Sequence, residues 1–321
     1  MNATSLQTDA PIFGAILAAH KRIAPRIHRT PVLTSASLDE IAGARLFFKC
    51  ENLQKTGSFK IRGATNAVFS LTDEEARHGV VAPSSGNHAA ALALAARWRG
   101  IPAFIVMPSN SSAAKMRAVE SYGGQITQCE PNMASREGTC AEVMKKTGAH
   151  LVHPYNDARV IAGQGTAALE LIEDVGELDL VIAPVSGGGL LSGTAIAAKS
   201  MRPGIRVIGG EPRNADDAYR SLAAKKIEPA APSETMADGL RATLCPLTFS
   251  VLQSFVDEIS TVTEEEITAA MFLLWERMKL VIEPSGAVSA APALNRRIGA
   301  EGKKIGIILS GGNLDLHKLP F

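Results

Sequence analysis

Cysteine is scarce in this chain: four occur in 321 residues, at Cys50, Cys129, Cys140 and Cys245. No CxxC is present, which excludes a zinc knuckle or a paired redox motif, and the scattered thiols read as free cysteines of a reducing cytoplasm. Aromatic residues make up only 5%, too few for a surface that stacks single-stranded bases. Charge of one sign is lacking too. Lys+Arg number 33 against 32 Asp+Glu, for a net +1, so neither nucleic acid nor an anionic membrane has a basic footprint to meet. No basic leader precedes the apolar stretch Pro11–Ala19, which follows Asp9 and reads, through Ile12–Ile23, as an amphipathic helix. The longest uncharged run, Leu180–Ala198, has nineteen residues, near membrane-spanning length. Pro184 and Ser186-Gly187-Gly188-Gly189 break it into a strand, a loop and a helix.

What the chain does have is apolar bulk and glycine: 46% hydrophobic residues and 28 glycines. That is enough core for a folded α/β protein of about two domains. Strand-like runs at Arg45–Cys50, Gly79–Ala82, Ala103–Met107, Leu180–Val185, Arg206–Gly209 and Lys304–Leu309 alternate with helical runs at Ala64–Leu71, Ala89–Trp98 and Ala113–Tyr122. The continuous apolar runs suit parallel strands covered on both faces. Thr263-Glu264-Glu265-Glu266 is a capping box that opens a helix toward Arg277. The pattern predicts open, twisted, mostly parallel sheets with helices on both faces. A small unit over 76–151 is expected between flanks, 1–75 and 152–321, that form a larger one.

Ligands of parallel sheets bind beyond the carboxyl ends of strands. Four such places carry small polar residues: Ser84-Ser85-Gly86-Asn87-His88, Ser186-Gly187-Gly188-Gly189-Leu190, Gly210-Glu211-Pro212 and Ser310-Gly311-Gly312-Asn313. They are expected to converge on one sheet edge. The run Ser186–Gly193 is strand, glycine loop and helix in one, the form that turns backbone N–H groups and a helix dipole toward an anion. A dinucleotide reading is weighed against it, since Glu211 stands 22 residues after Gly189, where a ribose-binding acid would sit. The G-x-G-x-x-G fingerprint fails at Ser192, and no GxxxxGK[ST] exists, so a single phosphate fits better. Lys60, within Lys55–Gly63 and among apolar neighbours, is either a solvated charge or a lysine able to hold an aldehyde cofactor.

The blocks ENLQKTGSFKIRGA (51–64), SSGNH (84–88), VIAGQGT (160–166), SGGGLLSG (186–193), EPRNADD (211–217), ADG (237–239), EPSGA (283–287) and LSGGNLD (309–315) resemble the fold-type II pyridoxal-phosphate (PLP) enzymes, specifically the serine/threonine dehydratase and serine racemase family. The resemblance runs nearly the whole length. It implies a two-domain architecture like that of the tryptophan synthase β subunit, with the 76–151 unit mobile. It implies that Lys60 holds PLP as a Schiff base, with Phe59 beside it, and that Ser186, Gly187, Gly188, Gly189 and Leu190 hold the phosphate. Asn87 would meet the 3′-hydroxyl, Ser310 would face the pyridine nitrogen, and Gly239 and Glu283 would complete the cofactor site. Ser84, Ser85, Gly86, Asn87, His88 and Tyr155 would bind the substrate. Glu211, the Ala215 carbonyl and Asp217, unremarkable alone, match a divalent cation site (Mg²⁺, Mn²⁺ or Ca²⁺) of the racemase branch. A homodimer is expected on the same ground.

The implied activity is β-elimination of water from serine, threonine or 3-hydroxyaspartate, giving a 2-oxo acid and ammonia. Two rivals stand beside it. Ser85 occupies the position of the racemase branch's second acid/base, so serine racemisation is the first. A non-catalytic nucleotide-binding regulatory module is the second, and the presence of Lys60 beside the cofactor loops speaks against it. The segment Tyr155-Asn156-Asp157-Ala158-Arg159 departs from many relatives, leaving the substrate open. A 3-hydroxyaspartate side chain needs a cationic or multiply donating partner, for which His153, Arg159 and Arg241 are the candidates.

Overall fold

The computed structural model describes residues 10–230, 234–316 and 319. Ten strands occur among them: β1 (Val32–Leu33), β2 (Arg45–Cys50), β3 (Val80–Pro83), β4 (Ala103–Pro108), β5 (Gly124–Cys129), β6 (His150–Leu151), β7 (Leu180–Pro184), β8 (Arg206–Pro212), β9 (Glu258–Val262) and β10 (Lys304–Leu309). They form two sheets, one of six strands in the order β1-β2-β10-β7-β8-β9 and one of four in the order β5-β4-β3-β6. Every pairing is parallel except β1 with β2. The four-stranded sheet is drawn from residues 80–151 alone.

The apolar runs became strands because helices cover both faces of the large sheet. β7 is buried at every position, and β8 and β10 at all but their first. The uncharged run Leu180–Ala198 divides as expected into β7, a glycine loop and the helix Gly189–Met201. No helix among the described residues is long and apolar enough to cross a membrane. The last strand, β10, lies between β2 and β7, so the loop that follows it opens where the strand order reverses, the usual ligand crevice of such sheets. The capping box at Thr263 is formed: its hydroxyl accepts from Glu266 N, and the Glu266 carboxylate accepts from Thr263 N.

Three helices pack behind the crevice at backbone distance. A Cβ added to Gly163 would lie 2.6 Å from the Arg62 carbonyl oxygen and from Gly63 Cα. One on Gly193 would lie 2.5 Å from Gly165 N and from Ile161 O. The block VIAGQGT thus sets the helix Ala158–Val175 against the helix Lys60–Ser70 on one side and Gly189–Met201 on the other. Only glycine permits this approach, and it draws the starts of the two outer helices together.

Candidate active site

The polar segments do not share one sheet edge, and Gly210-Glu211-Pro212, expected as a loop, is the end of β8, held in the ladder by its pairing with β7 and β9. Ser84–His88 follows β3 of the four-stranded sheet, whereas the loops after β7 and β10 belong to the six-stranded one. The two sheets face each other across the crevice, and side-chain bonds span it. Asn87 Nδ2 donates to Glu283 Oε1 at 2.8 Å, and Asn313 Nδ2 donates to Asn87 Oδ1 at 2.9 Å. Lys115, at the start of a helix following β4, forms an ion pair with Asp238 beside Gly239.

Lys60 is the first residue of its helix, not a loop residue. The approach to it is strained. Thr56 (φ 62°) and Gly57 (φ 72°) are both left-handed, and Asn313 Nδ2 pins the turn by donating to Thr56 O at 2.6 Å. Lys60 Nζ donates to Pro154 O at 3.2 Å and lies 5.1 Å from the centre of the Phe59 ring. Burial lowers this amine from its ordinary range to about 8, within reach of the neutral, nucleophilic form. Two histidines beside it are held in the neutral form. His88 Nε2 donates to Val152 O at 2.9 Å, leaving Nδ1 buried and unpartnered. Burial, then the Lys60 charge, holds His88 down at about 3 and His153 at about 4.

The phosphate-type loop is built as the glycines suggest. Gly188 caps the helix Gly189–Met201 with φ +86°. A Cβ on Gly187 would strike the Tyr155 ring at 2.4 Å, and one on Gly188 would strike Thr248 at 2.8 Å, so the loop is threaded between these side chains. Ser186 Oγ accepts from Ala242 N at 3.1 Å. Leu190 is buried at the loop's end. On the other side, Ser310 is buried, its Oγ donates to Ser285 O at 3.4 Å, and its carbonyl accepts from Phe59 N at 3.0 Å. Gly239 N donates to Ser285 Oγ at 3.1 Å. Burial raises Glu283 to about 8, so it can carry a proton at neutral pH.

The helix Asn87–Arg99 is capped by Gly86 without a side-chain hydrogen bond. Ser85 is therefore not its cap, and no side chain caps the first N–H groups of this helix, the arrangement suited to receiving an anion. Ser84 Oγ accepts from Gly86 N at 3.4 Å. Tyr155 stacks edge-on against His153, with centroids 4.6 Å apart. Of the cations weighed for a second carboxylate, Arg159 is committed to Asp157, His150 and Glu75, and Arg241 donates to Thr235 O. His153 stays beside Lys60. Its Nδ1 accepts from Asn156 N at 2.9 Å.

Arg136 went unnoticed in the sequence. Its charge reaches Tyr155, and its Nε is buried without a partner. Nothing local distinguishes it, since it lies in a polar helix of the other sheet.

Glu211 Oε1 and Oε2 accept from Ala218 N at 2.9 Å and Tyr219 N at 2.8 Å. Asp217 Oδ2 is buried and unpartnered. Burial raises both carboxyls, Glu211 to about 8 and Asp217 to about 6. No group of three or more His, Cys, Asp or Glu side chains able to hold a metal occurs among the described residues. This set has only two carboxylates, with Ala215 buried beside them.

Residues 23–311 match the family described as pyridoxal-phosphate dependent enzyme. The chain is 51% identical over 311 residues to the β-hydroxyaspartate dehydratase of Paracoccus denitrificans (strain Pd 1222), covering 97% of this chain and 99% of that one. It is 53% identical over 310 residues to the serine racemase of Arabidopsis thaliana, covering 95% and 94%. The structure of maize serine racemase superposes with a TM-score of 0.94 at 50% identity, covering 96% of this chain and 95% of that one. With this match over most of its length and these relatives, the chain belongs to the fold-type II PLP-dependent enzymes of the serine dehydratase and serine racemase family.

Proposed function

We propose that the protein dehydrates a small β-hydroxy amino acid to a 2-oxo acid and ammonia, with 3-hydroxyaspartate and serine as the leading substrates. The observation that carries this is Lys60: a buried amine with a lowered proton affinity, facing neutral histidines at the meeting point of the loops. PLP, when bound, supplies the aldehyde that Lys60 holds and an electron sink for the substrate α-carbon.

The chain's own groups do the rest. Ser186–Leu190 would hold the phosphate, Asn87 and Glu283 the 3′-hydroxyl side of the ring, and Ser310, an uncharged partner, the pyridine nitrogen. Phe59 and Gly239 flank the ring. The N–H groups over Ser84–His88 orient the substrate carboxylate, and Lys60 Nζ takes the α-proton. The unpartnered Arg136 Nε, near Tyr155, supplies the donor that a second carboxylate needs. Relatives support this specificity, one being a β-hydroxyaspartate dehydratase. A panel of L-serine, L-threonine and 3-hydroxyaspartate, scored for oxo acid, ammonia and inverted amino acid, tests it. Turnover of none of the three overturns the proposal.

Serine racemisation is a second reading, favoured by Ser85, whose hydroxyl is free of capping and would serve the face opposite Lys60. Glu211, Asp217 and the Ala215 carbonyl form an oxygen set suited to a divalent cation, and the unpartnered Asp217 Oδ2 supports that role. The cation would hold these buried carboxylates in place rather than enter the chemistry. Half-exposed Leu53 (45%) and Val281 (47%) support a homodimer. Free cysteines support a cytoplasmic setting, and residues 76–151 are taken as a separate, mobile domain.

A further inference from the structure

A buried ion-pair cluster lies on the far side of the helix that Lys60 begins. Lys60 begins the helix Lys60–Ser70, whose preceding residue, Phe59, gives no side-chain cap and whose first turn carries no acid. Uncapped helix starts leave N–H groups unpaired, and the dipole disfavours a positive side chain there. This end must nevertheless present an amine in one direction.

Arg62 lies two residues on, roughly 200° around the helix, and is 0% exposed. Its guanidinium is clamped on two edges. Nε and Nη2 donate to Glu51 Oε2 and Oε1, each at 2.7 Å. Nη1 and Nη2 donate to Glu170 Oε1 and Oε2, each at 2.8 Å. Nη1 also meets Thr166 Oγ1 at 3.1 Å. Glu51 accepts from the Thr30 hydroxyl at 2.6 Å, and Glu170 pairs with Lys49 at 2.7 Å.

A buried cluster of this kind is weak ground for stability, because apolar replacements of equal volume often fold as well. What two bidentate pairs supply is direction: a planar fork cannot turn or slide without breaking both. The anchors also connect to the surroundings of Lys60. Glu51 opens the turn that follows β2 and leads to Lys60. Glu170 and Thr166 belong to the helix Ala158–Val175, which follows the segment whose Pro154 carbonyl receives Lys60 Nζ.

We propose that Arg62 is a positioning residue for Lys60: held between Glu51 and Glu170, it sets the rotation of the helix start and thereby the direction in which the amine faces cofactor and substrate. The inference rests on Lys60 being the cofactor lysine.

Arg62→Lys keeps the buried charge and loses both forks, while Glu51→Gln keeps the volume and weakens one. Both are measured as PLP-loaded enzymes. In Arg62→Lys, kcat for L-serine falls about tenfold or more while KM stays within about twofold. The visible circular dichroism of the bound cofactor falls by about half or more, while far-ultraviolet dichroism and cofactor stoichiometry hold. Glu51→Gln changes the same readings less, and it alone decides the matter if Arg62→Lys does not fold. Loaded variants whose kcat and visible dichroism stay within about twofold of the parent overturn the proposal, whatever their melting temperature. Borohydride reduction and peptide mapping test the underlying assignment separately: a pyridoxyl group on another lysine defeats Lys60 itself.

Discussion

Lys60 combines a backbone carbonyl partner with a lowered pKa, and the sign of that shift sets a pH dependence. Below about 8 the amine is mostly protonated, and above it the free nucleophile prevails. The rate at which the cofactor-free protein takes up PLP is therefore expected to rise about tenfold per pH unit below that value and to level off above it. A rate flat from pH 6 to 9 would show an amine already free. Ser85→Ala is expected to abolish interconversion of L- and D-serine while L-serine elimination keeps about half or more of its kcat, since only the Lys60 face serves elimination. Equal loss of both would mean that Ser85 binds substrate. At the buried Glu211–Asp217 pair, Mg²⁺ at about 100 times its Kd should add about 2.7 kcal/mol of stability, read as a rise in melting temperature that Asp217→Ala removes. No rise in the parent protein would leave the acids without a cation. Lys60, as one of two readings, and the glycine loop were legible from their local blocks, and Asn87 only through the family resemblance. The Pro154 carbonyl and the Arg136 Nε were not. One is backbone and the other is ordinary in its helix; both acquire meaning only once the two sheets face each other.

At the scale of elements, strands buried on both faces were the easy ones. β7, β8 and β10 declare themselves as apolar runs, whereas β5, Gly-Gln-Ile-Thr-Gln-Cys, is a polar edge strand that alternates in burial and gives no such run. The two-residue β6 is too short to carry a pattern. Gly163 and Gly165 lower the propensity of the helix Ala158–Val175 that contains them. Their reason is the approach of neighbouring helices. Gly163→Ala would place a methyl 2.6 Å from the backbone of Arg62 and Gly63, where no side chain can swing aside. The expected loss is about 1–3 kcal/mol, seen in thermal denaturation together with reduced cofactor occupancy. An unchanged melting curve would mean that the helices part without penalty.

Across the whole molecule, the site belongs to neither sheet. Ser84–His88 come from one sheet, Ser186–Leu190 and Ser310 from the other, and Asn87, Asn313, Lys115 and Asp238 tie the two halves. Sequence order conceals this, since the chain leaves the large sheet after β2, builds the small sheet from β3 to β6, returns with β7, and only at the end places β10 between β2 and β7. The glycine crossings then fix something further. The helices that start at Lys60 and at Gly189 both rest on Ala158–Val175 at backbone contact, so the span between the amine and the glycine loop is set by the protein before any ligand arrives. The site therefore works as a gauge of length. A PLP analogue with one extra methylene between ring and phosphate keeps every charge yet overshoots the gauge. It should occupy the loop while leaving Lys60 unlabelled by borohydride.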